Sequence, residues 1–339
     1  MGIGWQAVGQ LFREPARVQQ GLTKWLLAPE RPGLGRTVGT LGARPDFLII
    51  GTQKGGSTSL YRYLTAHPKI RSAAIKEIHY FSYHHACSES WYRAHFAPSF
   101  WLNARGLQTG EASVSHLHVP GAAQRVAAFA PDVKLIVMLR NPVARAFSHY
   151  QMSVKQGHET LSFREAVALE PERLQTERKL LGDDAFSHGP SHRYHSYVLR
   201  GHYAEQLERW FAHFPREQFL VLSSESFFKN PEDTYHDALG FLDLPEIDLP
   251  SYRQLNRAAE ARPAFPPDLR EQLEGYFAPH NARLEALLEA PTSERPTLPA
   301  RVGRSQTAPP THAPHRPRTR VLTDGKFGPQ RSPGERPPA

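Results

Sequence analysis

The chain has one cysteine, Cys87, in 339 residues, so no internal disulfide can form. That scarcity suits a soluble, cytoplasmic protein rather than a disulfide-stapled secreted one. No run approaches 18 apolar residues, so no membrane-crossing helix is expected. A folded basic face is also missing, despite a net charge of +8. Residues 1–44 carry six Lys/Arg against two Glu, and residues 291–339 carry nine against three Asp/Glu. The span between them is then left at about −2, which argues against a nucleic-acid partner. Residues 291–339 hold 11 of the 30 prolines and few large apolar side chains, so they are expected to form a disordered Pro/Arg-rich tail. Residues 1–44 read as a flexible segment whose patch "GLTKWLLAP" forms a short helix on the domain or in peripheral contact with a membrane. Gln6 stands where a myristoylation signal has Ser or Thr.

What is present reads as one α/β domain over 45–290. "DFLIIG" (46–51), "VKLIVML" (133–139) and "QFLVL" (218–222) are short, continuous apolar runs, as strands buried on both faces require. Helical patterns separate them. Ser162 and Glu165 have capping-box spacing, and Asn230-Pro231 supplies a cap followed by a first-turn proline. "PPDLREQLEGYFAPHNARLEALLEA" reads as two closing helices broken at Pro279. Strands alternating with helices predict a P-loop-type parallel sheet flanked by helices on both faces. A ligand then sits at the strands' carboxyl ends.

The segment "FLIIGTQKGGSTSLYRYL" (47–64) runs from such a strand through a loop into a helix. Gly55 and Gly56 let backbone N–H groups turn inward, Ser57, Thr58 and Ser59 add hydroxyls, and the helix adds its positive end. The loop is thus a candidate anion cradle rather than a plain connection. A nucleoside triphosphatase loop places its lysine directly before Ser or Thr, whereas Lys54 precedes both glycines. The strand "VKLIVML" ends in Arg140, not in an aspartate suited to Mg²⁺. The parts therefore suit an anion and no metal. The 18 histidines do not alter this, since His84-His85 and His95 show no recognised ligand spacing.

Together with "KEIHYF" (76–81), "LRNPVARAFSHY" (139–150) and "LRGHYAEQLERWFAHF" (199–214), this loop resembles the sulfotransferases that use 3′-phosphoadenosine-5′-phosphosulfate (PAPS). The likeness is to the heparan-sulfate type and its bacterial relatives, and runs in order over about residues 45–290. It implies that the loop amides and Ser57–Ser59 hold the 5′-phosphosulfate, Lys54 the leaving oxygen, and Arg140 and Ser148 the 3′-phosphate. It implies Glu77 as base for the acceptor hydroxyl, with His79 the competing candidate, as in the small-molecule branch. Alternation in an extended segment would put the two on one side. The acceptor implied is a polysaccharide, glycolipid or similar hydroxyl compound. Two features depart from the family. There is no late cysteine pair to close a loop over the nucleotide, a role left to Asn256 and Arg257. "TGEASVSHLHVP" (109–120) lacks the lysine that helps hold heparan. An atypical P-loop kinase and a non-catalytic nucleotide-binding module remain the competing readings.

Overall fold

The computed structural model describes residues 39–186, 189–252, 265–290 and the backbone of 320–322. Asn256, Arg257 and the "GLTKWLLAP" patch lie outside the described residues.

The elements in chain order are β1 (Phe47–Gly51), α1 (Ser57–Ala66), β2 (Ile70–Ser72), α2 (Glu89–Arg93), α3 (Ser99–Asn103), β3 (Gln108–Ala112) and α4 (Ala122–Phe129). They continue with β4 (Lys134–Leu139), α5 (Pro142–Lys155), α6 (Phe163–Phe186, interrupted at Gly182), α7 (Tyr203–Phe211), β5 (Phe219–Ser223), α8 (Ser224–Lys229), α9 (Pro231–Phe241), α10 (Pro267–Glu289) and β6 (Arg320–Leu322). All strand pairings are parallel, in the order β2-β3-β1-β4-β5-β6. The three apolar runs became β1, β4 and β5 side by side. β6 pairs with β5 from inside the segment read as an unordered tail.

Alternate residues of the central strands enter two cores. Leu48, Ile50, Leu135, Val137 and Val221 pack with Leu207, Trp210 and Val126 on one face. Phe47, Ile49, Ile136, Met138 and Leu220 pack with Leu60, Leu64, Tyr235 and Leu239 on the other. Helices therefore cover both faces, as expected for the α/β class. A third cluster joins α5, α6 and α10 through Val143, Ala146, Phe163, Leu273 and Phe277.

Local signals mostly held. Ser162 and Glu165 form the reciprocal capping box, with Ser162 N donating to Glu165 Oε2 at 2.9 Å and Glu165 N to Ser162 Oγ at 3.4 Å. Pro231 opens α9. Pro279 does not break the closing helix; α10 runs through it. Proline costs one backbone bond there, but Leu269, Leu273, Phe277, Leu284 and Leu288 form one buried stripe across it, and that burial outweighs the lost bond.

Candidate active site

The chain reverses direction across the sheet at β1. The connection out of β1 leads to β2 and β3 on one side, while β4 and β5 lie on the other. A crevice at such a reversal is where an open parallel sheet binds ligands. The loop 52–56 leaves β1 at this point and is fixed from β4 and from the first residue of α8. Thr52 N donates to Met138 O at 2.7 Å, and Ser224 Oγ donates to Gly55 O at 2.7 Å. Gly55 is required by this fit, because a Cβ there would lie 2.8 Å from Met138 O. Gly56 has φ 98°, open to glycine at little cost. No side chain caps α1, so its leading amides face the loop. Ser57 and Ser59 are buried and Thr58 is partly exposed.

Arg140 joins the loop from the end of β4. Its Nη1 donates to Lys54 O at 3.0 Å, and its own carbonyl accepts from the buried Tyr203 hydroxyl at 2.9 Å. Asn141 caps α5 by accepting from Ala144 N, and Ser148 lies about two turns further on, half-buried.

Glu77 and His79 dock beside the carboxyl end of β3. Glu77 N donates to Ala112 O at 3.1 Å, and His79 N donates to Ser113 Oγ at 2.9 Å. Ser113 N in turn donates to Ile49 O of β1, so this segment and the loop share one edge of the sheet. The Glu77 carboxylate accepts from Lys76 Nζ at 2.8 Å, and its other oxygen lies 3.5 Å from His79 Nε2. Partial burial pulls its pKa upward, but the His79 hydrogen bond and the Lys76 charge prevail and hold it down at about 2. The two side chains meet as expected but not by strand alternation. Their backbones are left-handed, at φ 61° and 56°. Lys54 is left-handed too, at φ 71°, and only Asp243 shares that trait among the described non-glycine residues. Each such L-residue costs about 1 kcal/mol or more, and that strain gathers where side chains must be aimed.

Two features escaped sequence reasoning. The first is a buried network beneath Glu77 and His79. Glu111, fully buried on β3, accepts from Ser113 Oγ at 2.6 Å and Tyr92 OH at 3.2 Å and lies 3.4 Å from His116 Nε2. Burial raises its pKa, but His116 and Ser113 lower it further, so the net shift is downward. Ser115 Oγ lies 2.7 Å from His79 Nδ1 and fixes that ring. The second is a buried cationic wall. Arg145 of α5 is inaccessible, its Nη2 donates to Tyr197 O, and burial lowers its pKa to about 10. Its Nε and Nη1, and both ring nitrogens of His149, have no hydrogen-bond partner among the described residues. Burial, then the charges of Arg200, Arg145 and Lys54, keep His149 neutral. "ARAFSHY" marks these residues only as two turns of an amphipathic helix, and does not show which face turns inward.

Among solved structures, the chain resembles a sulfotransferase from Alicyclobacillus acidocaldarius, with 36% identity, 72% of this chain and 96% of that one covered, and a TM-score of 0.56. It is 32% identical over 222 residues to human heparan sulfate glucosamine 3-O-sulfotransferase 6, covering 65% of this chain and 58% of that protein. It is 26% identical over 315 residues to the membrane-associated sulfotransferase kil1 of Dictyostelium discoideum, covering 74% of this chain and 66% of that one. The chain thus spans about three fifths of the length of these two relatives. Residues 44–256, well over half of the chain, match the sulfotransferase domain family, and the chain belongs to that family of sulfuryl-transferring enzymes.

Proposed function

We propose that the chain transfers a sulfuryl group from PAPS to a hydroxyl of a glycan, glycolipid or similar acceptor. One observation carries the donor assignment: Arg140 Nη1 bonds the Lys54 carbonyl, joining the end of β4 to the anion loop where a triphosphatase would place a metal-binding acid. Such a guanidinium suits a second phosphate, on the ribose, beside the 5′-phosphosulfate. The loop amides, Ser57 and Thr58 hold the 5′ end, Lys54 stabilises charge growing on the leaving oxygen, and Ser148 assists Arg140. A glycan acceptor agrees with the heparan-sulfate glucosamine named for the human relative.

In this reading the acceptor oxygen forms a bond to sulfur as the sulfur–oxygen bond to the 5′-phosphate breaks. The hydroxyl proton passes to Glu77, and 3′,5′-ADP leaves. Lys76 and His79 keep Glu77 ionised before the acceptor arrives. Negative charge on the bound donor makes that carboxylate more basic when the proton must move.

A thermal-shift comparison tests the donor. The desulfated product 3′,5′-ADP should raise the melting temperature by mass action, and AMP, without the 3′-phosphate, should do so far less. Arg140→Ala should reduce the 3′,5′-ADP response to the AMP level and leave the AMP response nearly unchanged. Equal wild-type responses to the two nucleotides would remove the ground for PAPS.

A further inference from the structure

Away from the loop, His202, Glu205 and His280 bring three ligand-type atoms within 4.8 Å of one another. His202 is the N-cap of α7, Glu205 lies in that helix's first turn, and His280 lies on α10 just past Pro279. The two imidazole rings stack at 4.2 Å with 7° between planes. Such stacking disfavours two protonated rings. Neutral imidazole is the form that ligates. Tyr276 OH lies 2.9 Å from His202 Nε2, the kind of outer hydrogen bond that orients a ligating histidine. Glu205 shares its cationic neighbour with Glu208 and is the more distant partner. Arg283 engages Glu208 with two bonds of 3.2 and 2.7 Å and only approaches Glu205 at 3.6 Å.

We propose that His202, Glu205 and His280 form a transition-metal site, for which zinc is the fitting ion, that ties the start of α7 to α10. Two imidazoles and one carboxylate match zinc, with water as a fourth ligand; magnesium and calcium favour all-oxygen sets. Bonds of roughly 2.0–2.2 Å need a tighter cluster than the present one, with the two rings turned out of their stack so that a nitrogen of each points at the ion. The site is a staple and not part of the transfer chemistry. Tyr203, next to His202, holds the Arg140 carbonyl, so the metal would firm the frame behind the anion loop. The inference is independent of the PAPS reading. Sequence spacing could not show it, because the third ligand comes from a distant helix.

The test uses the full chain stripped with chelator and dialysed. Zinc titrated by calorimetry should bind at one ion per chain and raise the melting temperature by roughly 5 °C at 100-fold over Kd. Magnesium should do neither. His280→Ala should lose the response. Glu205→Gln, a surface change that spares packing, should weaken affinity about tenfold or more and decides the matter if His280→Ala fails to fold. His236→Ala, in the more exposed group Glu232-His236-Asp248, should keep the response. Absence of a zinc response in the wild type, or unchanged affinity in Glu205→Gln, overturns the proposal.

Discussion

Glu77 sits where two demands compete. A general base works best with a pKa near the working pH, yet the partners of Glu77 hold it at about 2 in the ligand-free chain. It is therefore ionised across any practical assay range. An acid limb in kcat/KM above pH 5 must then belong to another group. Glu77→Gln removes the proton acceptor and keeps its size. Turnover should fall on the order of 10²-fold or more, while 3′,5′-ADP binding by calorimetry stays as in the wild type. If Glu77→Gln keeps the full rate and His79→Ala abolishes it, the proton goes to His79 instead. The left-handed backbone at Lys54, Glu77 and His79 belongs to the same scale. Lys54 and Glu77 have no side-chain preference for it, and His79 only a modest one, so the fold imposes the conformation.

Among the elements, α6 is held to the segment before α7 by two carboxylates, Glu177 on Ser191 N and His192 N and Glu170 further along. Glu170 accepts from Val198 N and Leu199 N, each at 2.8 Å, and is 3% exposed. Burial outweighs these bonds and raises its pKa to about 7 from 4.5. Below pH 4.5 both folded and unfolded chains carry this proton. Between 4.5 and 7 only the folded chain keeps it, so Glu170 withdraws stability as pH rises through that window, by ~3 kcal/mol in all. The buried neutral histidines His118 and His149 act in the opposite direction, losing stability as pH falls. The wild-type curve is thus a sum. Urea midpoints of the wild type and Glu170→Gln against pH should differ by an amount that shrinks or reverses from pH 4.5 to 7. Parallel curves would mean that Glu170 does not titrate there. Legibility also differed by element. β1, β4 and β5 were readable because burial on both faces leaves an unbroken apolar run. β2, "IRS", and β3, "QTGEA", were not. The buried charge of Glu111 is tolerated only through Ser113, Tyr92 and His116, and the Tyr92 partner comes from a separate helix that no local pattern reveals. Pro279 misled for a related reason, since the stripe that carries α10 through it depends on what it packs against.

For the whole molecule, the sheet order explains why the site was easier to read than its surroundings. β1 and β4 are adjacent at the reversal, so motifs at their two ends converge on one crevice although far apart in sequence. The wall of Arg145, Arg200 and His149 behind it requires helix faces to be known and was not readable. No described helix is long and apolar enough to cross a membrane. The proposed reaction is transfer from PAPS without a catalytic metal, at a site where Lys54 and Glu77 would act on opposite sides of the sulfuryl group. The most direct measurement is transfer of label from ³⁵S-PAPS to a panel of polysaccharides, glycolipids and small alcohols, by wild type and Glu77→Gln, with and without excess EDTA. Label is expected on at least one hydroxyl acceptor, undiminished by EDTA at a temperature where the chain stays folded, and reduced about 10²-fold or more in Glu77→Gln. Transfer that EDTA abolishes and Mg²⁺ restores, or equal labelling by both proteins, would contradict that proposal.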